Sequence, residues 1–172
     1  MRGLQAPAHR FTHRQMDIAY HTPLSAQQQT SLGISPAAPL AVADRVHHDD
    51  LDTLNHVNNT RYFVWFERLR IRHMRMYGIG KLNDPDSPRI VIRSGEVRFV
   101  EEIRAGTDYV VTTTCSALRT TSMTLDQAIW AEGRKRATFS CVMVLLTQDG
   151  AERMPIPQDI RQRLIADGAR ET

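Results

Sequence analysis

The fold of this chain is decided by residues 46–70, which read VHHDDLDTLNHVNNTRYFVWFERLR. The stretch follows an alternating segment, residues 40–46, that predicts a first strand. Its loop holds three histidines and three aspartates within ten residues, 47–56, and its second half is an apolar run that predicts a helix. The first N–H groups of a helix can polarise a carbonyl oxygen, and a carboxylate in the preceding loop can attack that carbonyl or activate water against it.

The main helix is predicted over residues 57–77. Five side chains form one stripe at helical spacing: Tyr62, Phe66, Leu69, His73 and Met76. Residues 63–65 are also apolar, which predicts that the first half is buried on every side and that a sheet wraps around it. The second half is predicted to turn outward, with its arginines mostly on the solvated side: Arg68, Arg70, Arg72 and Arg75.

Four further strands are predicted after Gly80, over residues 90–100, 107–118, 122–131 and 135–147. A bulge is expected in the first of them at Ser94-Gly95. Residues 157–167 predict a short amphipathic C-terminal helix. The order of strand, long helix and consecutive antiparallel strands indicates a single α+β domain, with one central helix against a curved sheet of about five strands.

Composition excludes several classes of function. The chain has 172 residues, is 41% hydrophobic and carries a formal charge of +3, which suits one globular domain and is too weak a charge to indicate a nucleic-acid partner. Cys115 and Cys141 lie in strand patterns and are interpreted as buried thiols of a reducing compartment. The longest apolar run falls short of the roughly 20 residues that span a bilayer. We expect a cytoplasmic protein without a membrane partner.

Residues 1–36 differ in composition from the rest of the chain. They are poor in acids and contain three prolines and the run Gln27-Gln28-Gln29. We interpret them as a flexible extension with a short docked segment around residues 16–20, preceding a domain of residues 37–172. A mitochondrial transit peptide is the alternative interpretation of this arginine-bearing start.

The pattern D-L-D-x-x-x-H-V-N-N-x-x-Y-x-x-W-F-E at residues 50–67 resembles the signature of the hotdog-fold acyl thioesterases. The similarity is to the 4-hydroxybenzoyl-CoA thioesterase-like branch and to the plant acyl-carrier-protein thioesterases. It implies a single hotdog domain that hydrolyses an acyl-CoA thioester without a metal or other cofactor. It also implies a homodimer or homotetramer with the active site between paired protomers.

The resemblance assigns roles within the loop. Asp52 matches the second acid, whose carboxylate is the nucleophile or the general base, although an acid here can also serve only to stabilise the helix start. Asn59 marks the main-chain N–H that polarises the thioester carbonyl. His56 matches a catalytic histidine of the plant pattern, and Asn58 completes the set.

Two positions depart from the family patterns. Asn55 stands where the acyl-CoA branch usually has glycine, but asparagine tolerates a left-handed backbone, so the turn can be kept. Leu54 stands where the plant pattern has its catalytic asparagine, so the simpler mechanism of an aspartate with a helix amide fits better. Asp50, the first acid, is interpreted as a solvated loop residue.

Arginines are the candidates for binding the phosphates of coenzyme A: Arg61, Arg93, Arg119 and Arg134. A metal site at residues 47–50 is disfavoured, because His47 and His48 would point to opposite faces of a strand end. Two rival functions remain: a hotdog enoyl-CoA hydratase or dehydratase, which uses an aspartate and a histidine of one loop, and a non-catalytic acyl-CoA-binding domain.

Overall fold

A six-stranded sheet curves around one long helix in the computed structural model, which describes residues 17–80 and 87–172. The helices are α1 (Ala26–Ser31), α2 (Asn59–Met76) and α3 (Gln158–Ala166). The strands are β1 (Leu40–Arg45), β2 (Arg89–Phe99), β3 (Asp108–Leu118), β4 (Ser122–Ala131), β5 (Arg134–Leu146) and β6 (Arg170–Glu171). The sheet order is β1-β3-β4-β5-β2, all antiparallel, and the short β6 pairs parallel with β3. The predicted α+β hotdog architecture is confirmed.

The expected bulge lies in β2, where the register against β5 shifts between Ile92 and Ser94. Gly95 follows the bulge, and a Cβ atom there would lie 2.6 Å from the ring of Phe139. Only glycine therefore lets β2 pass over that ring. Two short elements, α1 and β6, were not predicted, although Ser25 and Gln28 form a capping box that marks the start of α1.

The helix α2 packs one side against the sheet through Tyr62, Trp65, Phe66, Leu69 and His73. The prediction of burial on every side is wrong, because Phe63 is 43% exposed on a flank of the helix. Met76 is also 43% exposed, so the predicted stripe ends one turn earlier. The arginines of the second half are mostly exposed or half-buried, as predicted, and Arg70 is the exception, at only 7% exposed. One sheet can cover only part of the circumference of a helix, and Arg70 lies at the margin of the covered part.

One edge of the sheet is covered by the chain, and the other is open within the described residues. The chain before β1 covers its outer edge, since the N–H groups of His21 and Leu24 donate to the carbonyls of Ala43 and Ala41, both at 2.9 Å. At the opposite edge, β2 pairs on its outer side with no strand of the described residues. The division of the chain at residue 36 stays a prediction, and residues 1–16 lie outside the described part.

Both cysteines are free and buried, as predicted, and burial raises the pKa of the Cys115 thiol to about 12. Within residues 17–80 and 87–172, the helices are too short or too polar to cross a membrane.

His73 is fully buried between α2 and the sheet, and neither of its ring nitrogens has a hydrogen-bond partner. Burial lowers the pKa of His73 to about 4, against a smaller opposing effect of the Asp167 carboxylate. The unfolded chain protonates this imidazole at about pH 6.5, so the unfolded state binds more protons between pH 6.5 and 4. Folding stability is therefore lost as the pH falls through this window.

We predict that His73→Leu removes this loss, which is on the order of 3 kcal/mol for a pKa difference of this size. Urea unfolding at pH 7 and at pH 4.5 measures it. The exposed His48 provides the control, and His48→Asn should leave the wild-type pH dependence in place. An equal loss of stability in His73→Leu and wild type would show that other groups cause it.

Candidate active site

The loop between β1 and α2 folds back on itself as a tight turn. Leu51 and Val57 form an antiparallel bridge, and the Asp52 N–H donates to the His56 carbonyl at 2.9 Å. The Asn55 N–H donates to the Asp52 carbonyl at 3.1 Å, and Asn55 has a φ of 62°. This is the left-handed conformation for which glycine is usual, and asparagine is among the few residues that adopt it readily. The predicted turn is thus kept without the glycine.

The turn holds Asp52 beside His56. One carboxylate oxygen accepts the Leu54 N–H at 2.9 Å, and the other lies 3.4 Å from His56 Nδ1. The side chains are 24% and 28% exposed, so both are partly shielded and still reachable. Asp52 therefore has a fixed orientation and a polar neighbour, as a nucleophile or general base requires.

The start of α2 leaves one main-chain donor free. The Asn58 side chain caps the helix by accepting the N–H and the hydroxyl of Thr60, at 2.9 and 2.8 Å. The N–H of Asn59, the first helical residue, has no acceptor among the described residues. Asn58 is thus engaged in capping, and Asn59 presents a donor at the positive end of the helix dipole.

Asp50 fixes this loop to the helix. The prediction that it is solvated is wrong: it is 2% exposed. Its carboxylate accepts Arg61 Nε at 2.6 Å and the His47 N–H at 2.9 Å, while its carbonyl accepts the Asn58 N–H at 2.8 Å. One buried residue thereby connects the beginning of the loop, its end and the first turn of α2. The sequence analysis missed this contact because Arg61 lies eleven residues after Asp50, in the first turn of the next helix.

The segment after β2 supports the loop from another side. The Val57 N–H donates to the Ile103 carbonyl at 2.8 Å, and Tyr62 packs edge-on against Phe99 with ring centroids 5.2 Å apart. Burial raises the pKa of Tyr62 to about 12, so its hydroxyl stays protonated. The C-terminal end of β2 therefore lies next to the start of α2.

The four candidate phosphate-binding arginines are not brought together. Arg61 is paired with Asp50, and Arg134 lies 3.3 Å from Glu101. Arg93 is exposed on β2, and Arg119 is exposed in the turn at the opposite end of β4 from Arg134. Their binding role stays a prediction.

Asp52, His56, Asn58 and Asn59 do not line the five best-formed cavities of the described residues. In the described part of the chain, no three histidine, cysteine or acidic side chains converge in a way that could hold a metal ion, so we assign no metal site.

The family profile described as the thioesterase-like superfamily matches residues 46–164, which include the whole turn and α2. The chain belongs to the thioesterase-like superfamily. A search of curated protein sequences found no significant match.

Solved structures of this superfamily are similar over most of their length. A thioesterase superfamily protein from Jannaschia sp. CCS1 is 35% identical with a TM-score of 0.80, covering 87% of this chain and 96% of its own. A thioesterase from Thermus thermophilus, solved in complex with coenzyme A and zinc, is 27% identical with a TM-score of 0.66, covering 74% and 98%. A predicted thioesterase from Bacillus stearothermophilus is 29% identical with a TM-score of 0.67, covering 74% and 95%.

We predict that Asp50→Asn destabilises this thioesterase-like domain by about 2–3 kcal/mol. The amide would place its own N–H groups against the Arg61 and His47 donors, and it would leave the Arg61 guanidinium without its charge partner. Urea unfolding measures the change. The exposed neighbour Asp49 gives the control, since Asp49→Asn should change stability by less than about 0.5 kcal/mol. Equal stabilities of the two variants would contradict the bracing role.

Proposed function

We propose that this chain hydrolyses acyl-CoA thioesters to the free acid and coenzyme A. The observation that carries the proposal is the turn that holds the Asp52 carboxylate in the loop leading directly to a free helix N–H at Asn59. Membership of the thioesterase-like superfamily supports hydrolysis, and the coenzyme A complex of the Thermus protein supports the substrate class.

The chemistry follows two routes that share the same residues. In the first, Asp52 attacks the thioester carbonyl carbon, coenzyme A leaves as its thiolate, and water hydrolyses the mixed anhydride. In the second, Asp52 takes a proton from water as the water attacks the carbonyl carbon, and coenzyme A again leaves as its thiolate. In both, the Asn59 N–H stabilises the developing oxyanion, where a preorganised donor has its largest effect. His56 and Asn58 hold the carboxylate and the helix start in place.

We infer that two copies of the chain complete the site. The free edge of β2 and the adjoining flank of α2 expose apolar side chains: Phe63, Ile71, Ile92, Phe99 and Val100. Pairing of two such edges would cover this surface and remove the open strand edge. It would also place a second protomer beside Asp52, and tetramers could form from these dimers. Arg93, Arg119 and Arg134 are the proposed contacts to the phosphates of coenzyme A.

We predict that Asp52→Asn lowers kcat for thioester hydrolysis by about a hundredfold or more, because the amide is neither a nucleophile nor a base. Release of free thiol from a panel of acyl-CoA substrates measures it. Asp49→Asn, an exposed acid of the same loop, should keep the wild-type rate. Thermal unfolding checks that both variants fold. A fully folded Asp52→Asn protein with wild-type turnover would refute the assignment.

The contact between Asp52 and His56 also favours a second candidate, hydration of an enoyl-CoA. Loss of crotonyl-CoA absorbance without release of thiol would support hydration in place of hydrolysis. Binding of acyl-CoA with neither reaction would support a non-catalytic acyl-CoA-binding domain.

A further inference from the structure

Arg70 is a buried cation that forms no ion pair in the described part of the chain. Its Nη1 donates to Gln127 Oε1 at 3.2 Å, and its guanidinium lies 5.9 Å from the ring centroid of Phe139. The carboxylate of Glu67, on the same helix, acts on Arg70 electrostatically, but no carboxylate of residues 17–80 and 87–172 forms an ion pair with it. Burial lowers the pKa of Arg70, although an arginine remains protonated at neutral pH.

The surroundings hold Arg70 in one orientation. The Gln127 amide nitrogen donates to the Phe66 carbonyl and to Thr113 Oγ1, both at 2.9 Å, so its oxygen must face the guanidinium. A guanidinium has five N–H donors, and this one contact uses only one of them. A buried, unpaired charge is costly to stability, and a well-packed apolar side chain would avoid that cost. Arg70 is thus poised to receive an anion.

A cavity of about 650 Å³ adjoins Arg70, between the second half of α2 and the N-terminal half of β2. This volume is in the range of sites for small organic ligands. Apolar side chains form much of its wall: Ile71, Met74, Ile79, Ile90, Ile92 and Met143. The exposed side chains of Glu67, Arg75 and Arg89 also line the cavity, and Arg70 is the buried cation of its wall. With three cations against one carboxylate, the wall suits a mainly apolar ligand that carries a negative charge.

The cavity lies on the same flank of α2 as the free N–H. At 3.6 residues per turn, Asn59, Phe63 and Arg70 share one face of the helix, and Arg70 lies about 16 Å from Asn59 along its axis. The rings of Phe63 and Phe139 meet edge-on between them, with centroids 5.8 Å apart, and Gly95 leaves the space for Phe139 beneath β2. These two rings, the aromatic strip, therefore lie between the proposed thioester position and the buried cation, outside the lining of the cavity itself.

We propose that the acyl group lies along this strip and that Arg70 binds a carboxylate at its far end, so that CoA thioesters of dicarboxylic acids are the preferred substrates. The inference rests on the proposed hydrolysis and adds its specificity. A single guanidinium beside one amide oxygen matches a singly charged carboxylate in an apolar cavity. The phosphates of coenzyme A carry more charge and lie on the other side of the thioester.

The test compares pairs of CoA thioesters of equal chain length, one ending in a methyl group and one in a carboxylate, over a series of lengths. Arg70→Met removes the charge and keeps an extended apolar side chain, whereas Arg70→Lys keeps the charge. Arg68→Met is the matched control, an exposed arginine on the other side of the same helix. Thermal unfolding and sedimentation check folding and oligomeric state of every variant.

We expect wild type and Arg68→Met to prefer the carboxylate-ended thioester at the longer chain lengths. In Arg70→Met, kcat/KM for that substrate should fall by about ten- to a hundredfold, the effect of a lost charged hydrogen bond, with little change for the methyl-ended partner. Arg70→Lys should retain part of the preference. An equal fall for both substrates, or a wild type without preference at any length, would overturn the proposal.

Two further outcomes are decisive. If Arg70→Met dissociates the oligomer and leaves the preference intact, the charge is paired by a second copy of the chain and the proposal is wrong. If no thioester is hydrolysed, the proposed function fails. Calorimetric binding of a free dicarboxylic acid then tests Arg70 separately: binding that is lost in Arg70→Met supports the subsite, and equal binding or none rejects it.

Discussion

The first peptide group of α2 is the feature on which the proposed chemistry of this protein depends. A helix must leave its first N–H groups without internal partners, and here the cap at Asn58 satisfies one of them and leaves that of Asn59 free. The sheet covers one side of the same helix, so the position and direction of its first turn are fixed by the core. A free donor on a rigid support is what an oxyanion site needs.

The loop before the helix adds a carboxylate to this donor, and the two together form the candidate active site. It carries Asp52 in a turn closed by Asn55, and the buried Asp50 ties that turn to Arg61 of the first helical turn. Asp50 therefore has a structural role, because its buried carboxylate holds the loop against the helix. The carboxylate of Asp52, which is proposed to react, stays partly exposed. Two acids of one short motif thus have different tasks, set by their surroundings.

Sequence predicted the parts of this fold that depend on local pattern. The period of the apolar residues indicated α2 and the five main strands, the Ser94-Gly95 pair marked the bulge, and asparagine at position 55 was compatible with the left-handed turn. It failed where contacts between distant segments decide the outcome. Arg70 was grouped with the mostly solvated arginines of α2, and its burial depends on Gln127 of β4 and Phe139 of β5. Asp50 was misplaced because its charge partner, Arg61, lies in the next element, eleven residues further along the chain.

The most direct test of the account is a crystal structure of Asp52→Asn with a slowly hydrolysed acyl-CoA bound. We predict that the thioester carbonyl oxygen accepts the Asn59 N–H, with the side chain of residue 52 next to the carbonyl carbon. A thioester bound away from the start of α2, with residue 52 facing only solvent, would contradict the account.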